Sequence, residues 1–137
     1  MTTAGGLLIK IYSGSITRLN VDCIVNAANE NLMHGGGVAA AISDAAGYQF
    51  DQESAQYIAD NGPVPVGSCC VTSAGKLPYK HVIHSVGPRW GDYTDKEKCL
   101  QDLQKSVMVT FEKADELSMK SIAIPAISSG NANLVCL

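Results

Sequence analysis

Apolar residues recur along the chain in two rhythms. From Leu7 to Tyr12 they alternate, with Leu7, Ile9 and Ile11 on one side and Leu8, Lys10 and Tyr12 on the other. That period of two predicts a strand, preceded by a flexible leader over residues 1–6. Ser13-Gly14-Ser15 turns the chain, and Cys23-Ile24-Val25 is apolar on both faces, as in a buried parallel strand. After Gly35-Gly36-Gly37 the rhythm becomes helical. Val38, Ala41, Ile42, Ala45 and Ala46 share one face, and Gly47 is a stop. A second helix is predicted over Phe50 to Ala59, with Phe50, Tyr57 and Ile58 inward, ended by Asn61-Gly62-Pro63. Strands are predicted at Ser68–Thr72 and His81–Val86, with a turn over Gly75 to Pro78 between them and Gly87-Pro88 after the second. Thr94-Asp95-Lys96-Glu97 reads as a capping box. It opens a long helix striped by Leu100, Leu103, Val107, Phe111, Ala114 and Leu117. Ser121 to Ile127 is the last buried strand, turned by Ser128-Ser129-Gly130.

Apolar strands alternating with helices give an α/β fold with a largely parallel sheet. Ligands of such sheets bind at the carboxyl ends of the strands. Three polar, glycine-bearing turns follow three buried strands: Asn26–Gly37, Gly87-Pro88 and Ser128-Ser129-Gly130. With those strands parallel, the turns meet on one edge and form a single crevice.

The chain has 137 residues, the size of one domain, and with 46% apolar and 17% charged residues it can bury a core. A net charge of -3 without a long basic run disfavours general binding of duplex DNA. The five cysteines include no C-x-x-C pair and fit reduced, buried thiols in an intracellular protein, nuclear or cytoplasmic. No cluster has zinc-ligand spacing, so no metal site is expected. No run of about twenty apolar residues is present, so no membrane partner is expected. A monomer is expected for the isolated domain.

The chemistry concentrates in Asn26-Ala27-Ala28-Asn29-Glu30-Asn31-Leu32-Met33-His34-Gly35-Gly36-Gly37-Val38. Asparagine supplies donors and an acceptor without charge. Consecutive glycines let a ligand lie on the backbone itself. The helix behind them points free N–H groups and the positive end of its dipole at the loop. Together they suggest a cradle for a sugar-phosphate. The spacing matches neither the P-loop nor the dinucleotide-binding fingerprint.

Four motifs in series carry a family resemblance: Val21–Asn29, His34–Val38, Val82–Pro88 and Ile124–Gly130. From about Leu8 to Gly130 the chain resembles a macrodomain. The likeness is greatest to the first macrodomain of the macrodomain-bearing ADP-ribosyltransferases. Tyr57 to Pro63 is similar also to the coronavirus macrodomain. The resemblance implies a three-layer α/β/α fold and binding of ADP-ribose, free or as mono-ADP-ribosyl groups on proteins, with no cofactor. It implies that Asn29 contacts the distal ribose, that Gly35, Gly36 and Gly37 line it, and that Val38 packs beside the ligand. Asn26 belongs to the same ligand-binding set. Ile16 would lie against the adenine, Pro125 would wall its pocket, and Ser128, Ser129 and Gly130 would begin the diphosphate loop.

Three positions depart from the family pattern. Ser15 stands where an Asp usually accepts from the adenine amino group. Ala39 stands where one hydrolase branch carries an acid. After Gly130 the diphosphate-loop pattern is lost, so the domain over residues 7–137 reads as incomplete from about residue 131, without the family's last strand and helices. Apolar Leu134-Val135-Cys136-Leu137 is a candidate stand-in for that strand, too short to cover a full sheet edge. Two function classes stay open: a reader of ADP-ribose, and a metal-free hydrolase of its ester to Asp or Glu, with Asn29 and His34 as catalytic candidates. The alternative is a truncated transferase product with impaired or no binding. His81 and His84 read as packed within their strand.

Overall fold

The computed structural model describes residues 8–127 and the strand Leu134–Cys136. Ser128, Ser129, Gly130 and the leader therefore lie outside the described residues. In chain order come β1 (Lys10–Tyr12), β2 (Cys23–Ala28), α1 (Gly37–Ala46), α2 (Tyr48–Asn61), β3 (Cys69–Thr72), β4 (His81–Val86), α3 (Lys96–Glu116), β5 (Ile122–Pro125) and β6 (Leu134–Cys136). Short 3-10 turns sit at Ile16–Arg18 and Trp90–Asp92.

The strands form one sheet in the order β1-β6-β5-β2-β4-β3. Its centre is parallel. β2 pairs with β4 along its whole length, Cys23↔His81 through Ala28↔Val86, and with β5 at Cys23↔Ile122 and Ile24↔Ala123. The outer pairings, β3 with β4, β5 with β6 and β1 with β6, are antiparallel. The expected gap between β1 and β5 is taken by Leu134–Cys136, the apolar stretch singled out as its stand-in, which pairs three residues deep with each neighbour.

Both faces of the central strands are buried, which is why Cys23-Ile24-Val25 shows no polar alternation. Ile24, Val82 and Ala123 pack with Ile42, Ala46 and Phe50 of α1 and α2. Cys23, Val25, Ile83, Ile122 and Ile124 pack with Ala114 of α3 on the opposite face. The sheet is thus sandwiched between the α1–α2 pair and α3. Cys69 and Cys70 point to opposite faces, as adjacent strand residues must. The amino ends of the parallel strands are tied by Asp22. Its carboxylate accepts from the Lys120 N–H at 2.8 Å, its carbonyl accepts from the Lys80 N–H, and its own N–H donates to Ser121 Oγ.

Two details of α3 differ from the sequence reading. Asp95, not Thr94, is the N-cap, accepting from the N–H groups of Glu97 and Lys98. The buried face is also rotated, to Cys99, Ser106, Thr110 and Ala114, leaving Leu100 56% exposed. Periodicity favoured the larger apolar side chains. Packing against β4 takes the smaller ones, with both hydroxyls bonded back to the helix: Ser106 Oγ to the Leu103 carbonyl and Thr110 Oγ1 to the Ser106 carbonyl, each 2.7 Å.

The turn after β3 closes onto the end of α1, where the Lys76 N–H donates to the Ala46 carbonyl at 2.8 Å. Gly75 makes this approach possible. Its φ is +57°, and a Cβ there would stand 2.4 Å from the same carbonyl oxygen. Gly75→Ala should lower stability by at least about 1–3 kcal/mol, the usual range for such strain, before the clash is counted. Urea unfolding checks this: the midpoint should fall at constant m. An unchanged midpoint would mean the turn relaxes freely.

Candidate functional site

A cleft of about 930 Å³ opens at the carboxyl ends of the parallel strands. The register Ala28↔Val86 sets the turns after β2 and β4 side by side. The first supplies Ala28, Asn29, Glu30, Asn31, Met33, Gly35 and Gly36, and the second Gly87, Pro88 and Arg89. Ile127, just before the third turn, lines the same cleft. The crevice read from the order of strands and turns therefore forms from its first two turns and the approach to the third.

The loop after β2 is rigid at its start and bare at its end. Asn29 folds back on its own loop: Nδ2 donates to the Met33 carbonyl and Oδ1 accepts from the Met33 N–H, both at 2.9 Å. The Leu32 N–H donates to the Asn29 carbonyl, and Leu32 takes a positive φ of 52° to bury its side chain against Val64, Cys70 and Val86. The Asn29 amide keeps its second N–H and further lone pairs for a ligand. A Cβ on Gly35, Gly36 or Gly37 would meet nothing within 4 Å. Gly36 is the N-cap of α1 and brings no side chain to cap it, so the first N–H groups of the helix face the loop.

Behind the cleft runs a buried polar chain that the sequence reading missed. Asn26 Nδ2 lies 3.0 Å from His84 Nδ1 and 3.4 Å from His34 Nδ1. His84 Nε2 lies 2.9 Å from Thr72 Oγ1, and His34 Nε2 lies 3.0 Å from Ser54 Oγ. The hydroxyls fix the direction. Thr72 donates to the Ser73 carbonyl and Ser54 to the Phe50 carbonyl, so each accepts from its histidine. Both rings are then neutral with the proton on Nε2, and both Nδ1 lone pairs accept from Asn26. This arrangement makes six hydrogen bonds among these groups. The reversed amide makes four, because both hydroxyls must leave their carbonyls. The cost is Asn26 Oδ1, fully buried with no partner among the described residues. Such an orphan costs about 1–3 kcal/mol. His34, His84 and Phe50 also pack ring against ring, with centroids 5.1–5.5 Å apart. Burial pulls the His84 pKa down to about 3, with neighbouring His34 adding to the effect, and burial lowers His34 as well.

The residues named from sequence separate into groups. Asn29, Gly35 and Gly36 line the cleft. Gly37 and Val38 begin α1, Val38 half-buried against the core. Asn26 and His34 lie behind the lining, in the polar chain. Ser15 is exposed and caps the Ile16–Arg18 turn, while Ile16 is 3% exposed within the core and Pro125 is fully buried on β5. None of these three lines the cleft. His84 is packed in its strand, as read. Burial pushes the Cys23 thiol up to about 11 and Cys70 up to about 12, with Asp22 and Cys69 respectively contributing, so neither is an activated nucleophile. Among the described residues no group of His, Cys, Asp and Glu could hold a metal ion, and no helix is long and apolar enough to cross a membrane.

Arg89, Asp92 and Tyr93 line the cleft and were not foreseen. The signal was available in Gly87-Pro88: residues that follow a turn at a strand's carboxyl end stay on that edge. The segment is pinned by α3. Lys96 Nζ donates to the carbonyls of Trp90 and Tyr93 at 2.7 and 2.6 Å, and Tyr93 Oη donates to Asp102 at 2.6 Å. The Lys96 ammonium also sits 4.6 Å from the centre of the half-exposed Trp90 ring.

Comparison with known proteins matches residues 25–135 to the macro domain family model. The human protein mono-ADP-ribosyltransferase PARP14 is 44% identical over 127 residues, 93% of this chain and 7% of that protein. An O-acetyl-ADP-ribose deacetylase of Escherichia fergusonii is 43% identical, over 89% of this chain and 68% of that one. Among solved structures, the Oceanobacillus iheyensis macrodomain with ADP superposes with a TM-score of 0.79 at 32% identity, covering 85% of this chain. The chain spans 62% of that structure's length.

The buried histidines make stability depend on pH. Their folded pKa values lie below the ordinary 6.5, to about 3 for His84, so the unfolded chain binds more protons in that window. Stability is therefore full above about pH 6.5 and falls as pH drops toward the folded values. Urea unfolding between about pH 7 and pH 4 should show this decline, and His84→Gln should flatten it. A wild-type midpoint that stays level across the range would contradict the assignment of neutral, buried rings.

Proposed function

The chain belongs to the macro domain family, and we propose that it binds ADP-ribose, free or carried on proteins, in the cleft at the carboxyl ends of β2, β4 and β5. One observation carries the reading. A bare glycine backbone, an uncapped helix N-terminus and an amide with free hydrogen-bonding capacity converge on one cleft. That donor set suits a ribose and its phosphates without requiring a cation. The relatives support it, one by its name as an O-acetyl-ADP-ribose deacetylase and another by having been solved with ADP.

In this reading the second N–H of Asn29 Nδ2 reaches the distal ribose, and Gly35, Gly36 and Gly37 let that sugar lie on the backbone. The free N–H groups of α1 face the diphosphate, and Val38 packs at the entrance. The adenine runs toward Ser15, Ile16 and Pro125. There Ser15 offers its hydroxyl where the family usually has a carboxylate, an acceptor without charge assistance. Ser128, Ser129 and Gly130, outside the described residues, stand where the family's diphosphate loop begins.

Ester hydrolysis is the second reading, favoured by the likeness to the deacetylase. Its obstacle is Ala39, which lines the cleft with a methyl group where one hydrolase branch has an acid. His34 does not replace that acid: its two ring nitrogens are committed to Ser54 and Asn26, and it does not line the cleft. The chain is therefore assigned as a binding module.

Titration calorimetry should show ADP-ribose binding in preference to AMP, which lacks the distal ribose. Asn29→Ala should weaken ADP-ribose about tenfold, the worth of one lost hydrogen bond that leaves its partner unpaired, and leave AMP nearly unchanged. Equal wild-type affinity for the two ligands would sink the proposal. A separate assay follows mono-ADP-ribosylated protein incubated with the chain in the presence of a chelator. No release above background is expected, and efficient metal-free release would reassign the chain as a hydrolase.

A further inference from the structure

The three glycines of the ligand loop have no side chains to hold them, and a Cβ at any of them would find open space. Their position is set from the two ends. On the α1 side the Ala40 N–H donates to the Gly36 carbonyl at 3.2 Å. On the other side the preceding residue is His34, whose half-buried ring is gripped by Ser54 at Nε2 and Asn26 at Nδ1. Ser54 is 2% exposed, sits on α2 and does not line the cleft. Its hydroxyl proton is spent on the Phe50 carbonyl one turn back, so toward His34 it can only accept.

We propose that Ser54 is a positioning residue for ligand binding: by accepting from His34 Nε2–H it selects the imidazole tautomer whose Nδ1 lone pair receives Asn26, and the doubly held ring fixes the start of the Gly35–Gly37 loop. The inference deepens the binding assignment above and rests on it. Three elements are joined through one ring, since Asn26 belongs to β2, Ser54 to α2 and the glycines lead into α1. Without the Ser54 acceptor the Nε2 proton has no partner. The ring is then held only by the longer Asn26 contact of 3.4 Å at Nδ1, and it shifts to bring its Nε2–H to another acceptor. The loop that follows moves with it. The ribose end of the site depends on that loop. The adenine-side residues Ser15 and Ile16 belong to a separate turn, held by Tyr79 Oη on the carbonyls of Ile16 and Leu19.

The test has two arms. In the first, ring nitrogen NMR of the wild-type chain should show His34 neutral with its proton on Nε2. A proton on Nδ1 would overturn the proposal whatever any variant does. In the second, Ser54→Ala is titrated with ADP-ribose and AMP. ADP-ribose should weaken about tenfold, with AMP within about twofold of wild type. Ser54→Thr, which keeps the hydroxyl, should restore the preference. Equal weakening of both ligands, or a preference that Ser54→Ala leaves intact, would show Ser54 to be merely structural. Failure of the binding assignment itself reads differently: the wild-type chain would not distinguish the two ligands, while the NMR arm would still report the tautomer.

Discussion

The parallel pairing of β2 with β4 is the constraint on which the rest depends. Six residues of each strand run in register, and the pair is apolar toward both helical layers. Parallel strands end on the same edge, so the turns after Ala28 and Val86 must emerge side by side. β5, parallel on the other flank of β2, brings Ile127 to the same place. At the opposite edge Asp22 ties Lys80 and Lys120–Ser121 through backbone groups, fixing the starts of all three strands. Backbone hydrogen bonding lowers the pKa of that carboxyl, and the Lys80 ammonium contributes. The cleft is thus a consequence of strand direction, with loop chemistry added at one end of a frame secured at the other.

Placing Asn26 and His84 in that frame opposes the hydrophobic logic of the sheet. Both are fully buried on the face that packs against α1 and α2, among Ile24, Ile42, Phe50 and Val82. Apolar residues would fill the space without an orphaned amide oxygen. What apolar residues lack is direction. The chain from Thr72 through His84, Asn26 and His34 to Ser54 crosses from β3 to α2, and each bond fixes the donor sense of the next. In a low-dielectric interior a mis-set partner is expensive, so one arrangement is held sharply. Neutral imidazoles suit this role, since burial keeps both rings uncharged and therefore able to accept as well as donate.

Much of this was legible in the sequence, because the signals involved are local. Cys23-Ile24-Val25 and His81–Val86 announced buried strands, the glycines marked the loop, and the alternation of strand and helix placed the turns on one edge. What the sequence did not show depends on tertiary context. Leu100 outranks Ser106 in any apolar count, yet packing against β4 selects small side chains and leaves the leucine outside. His34 beside three glycines reads as a catalytic candidate. Only the fold shows Ser54, twenty residues away, holding its far nitrogen. Ile16, set on the adenine side by family likeness, is 3% exposed, a degree of burial that only the packed fold reveals. Arg89, Asp92 and Tyr93 follow the Gly87-Pro88 turn onto the same edge, and α3 holds them there through Lys96 and Asp102.

The glycine loop divides between a bare backbone and braced surroundings. A ligand bound as proposed on Gly35–Gly37 would touch main-chain groups, which carry no rotamer entropy to lose. Such a surface discriminates only if it is held still, and glycine is the residue least able to hold itself. Rigidity must therefore be imported: from the Asn29 clasp on Met33, from Leu32 buried in its left-handed conformation, from the α1 turn at Ala40, and from the His34 ring. Each brace sits outside the three glycines and leaves their open side free. Asn29 alone both braces the loop and faces the cleft, with hydrogen-bonding capacity left over. Changes behind the loop should consequently alter ligand preference as strongly as changes on its surface, because there they move the backbone that makes the contact.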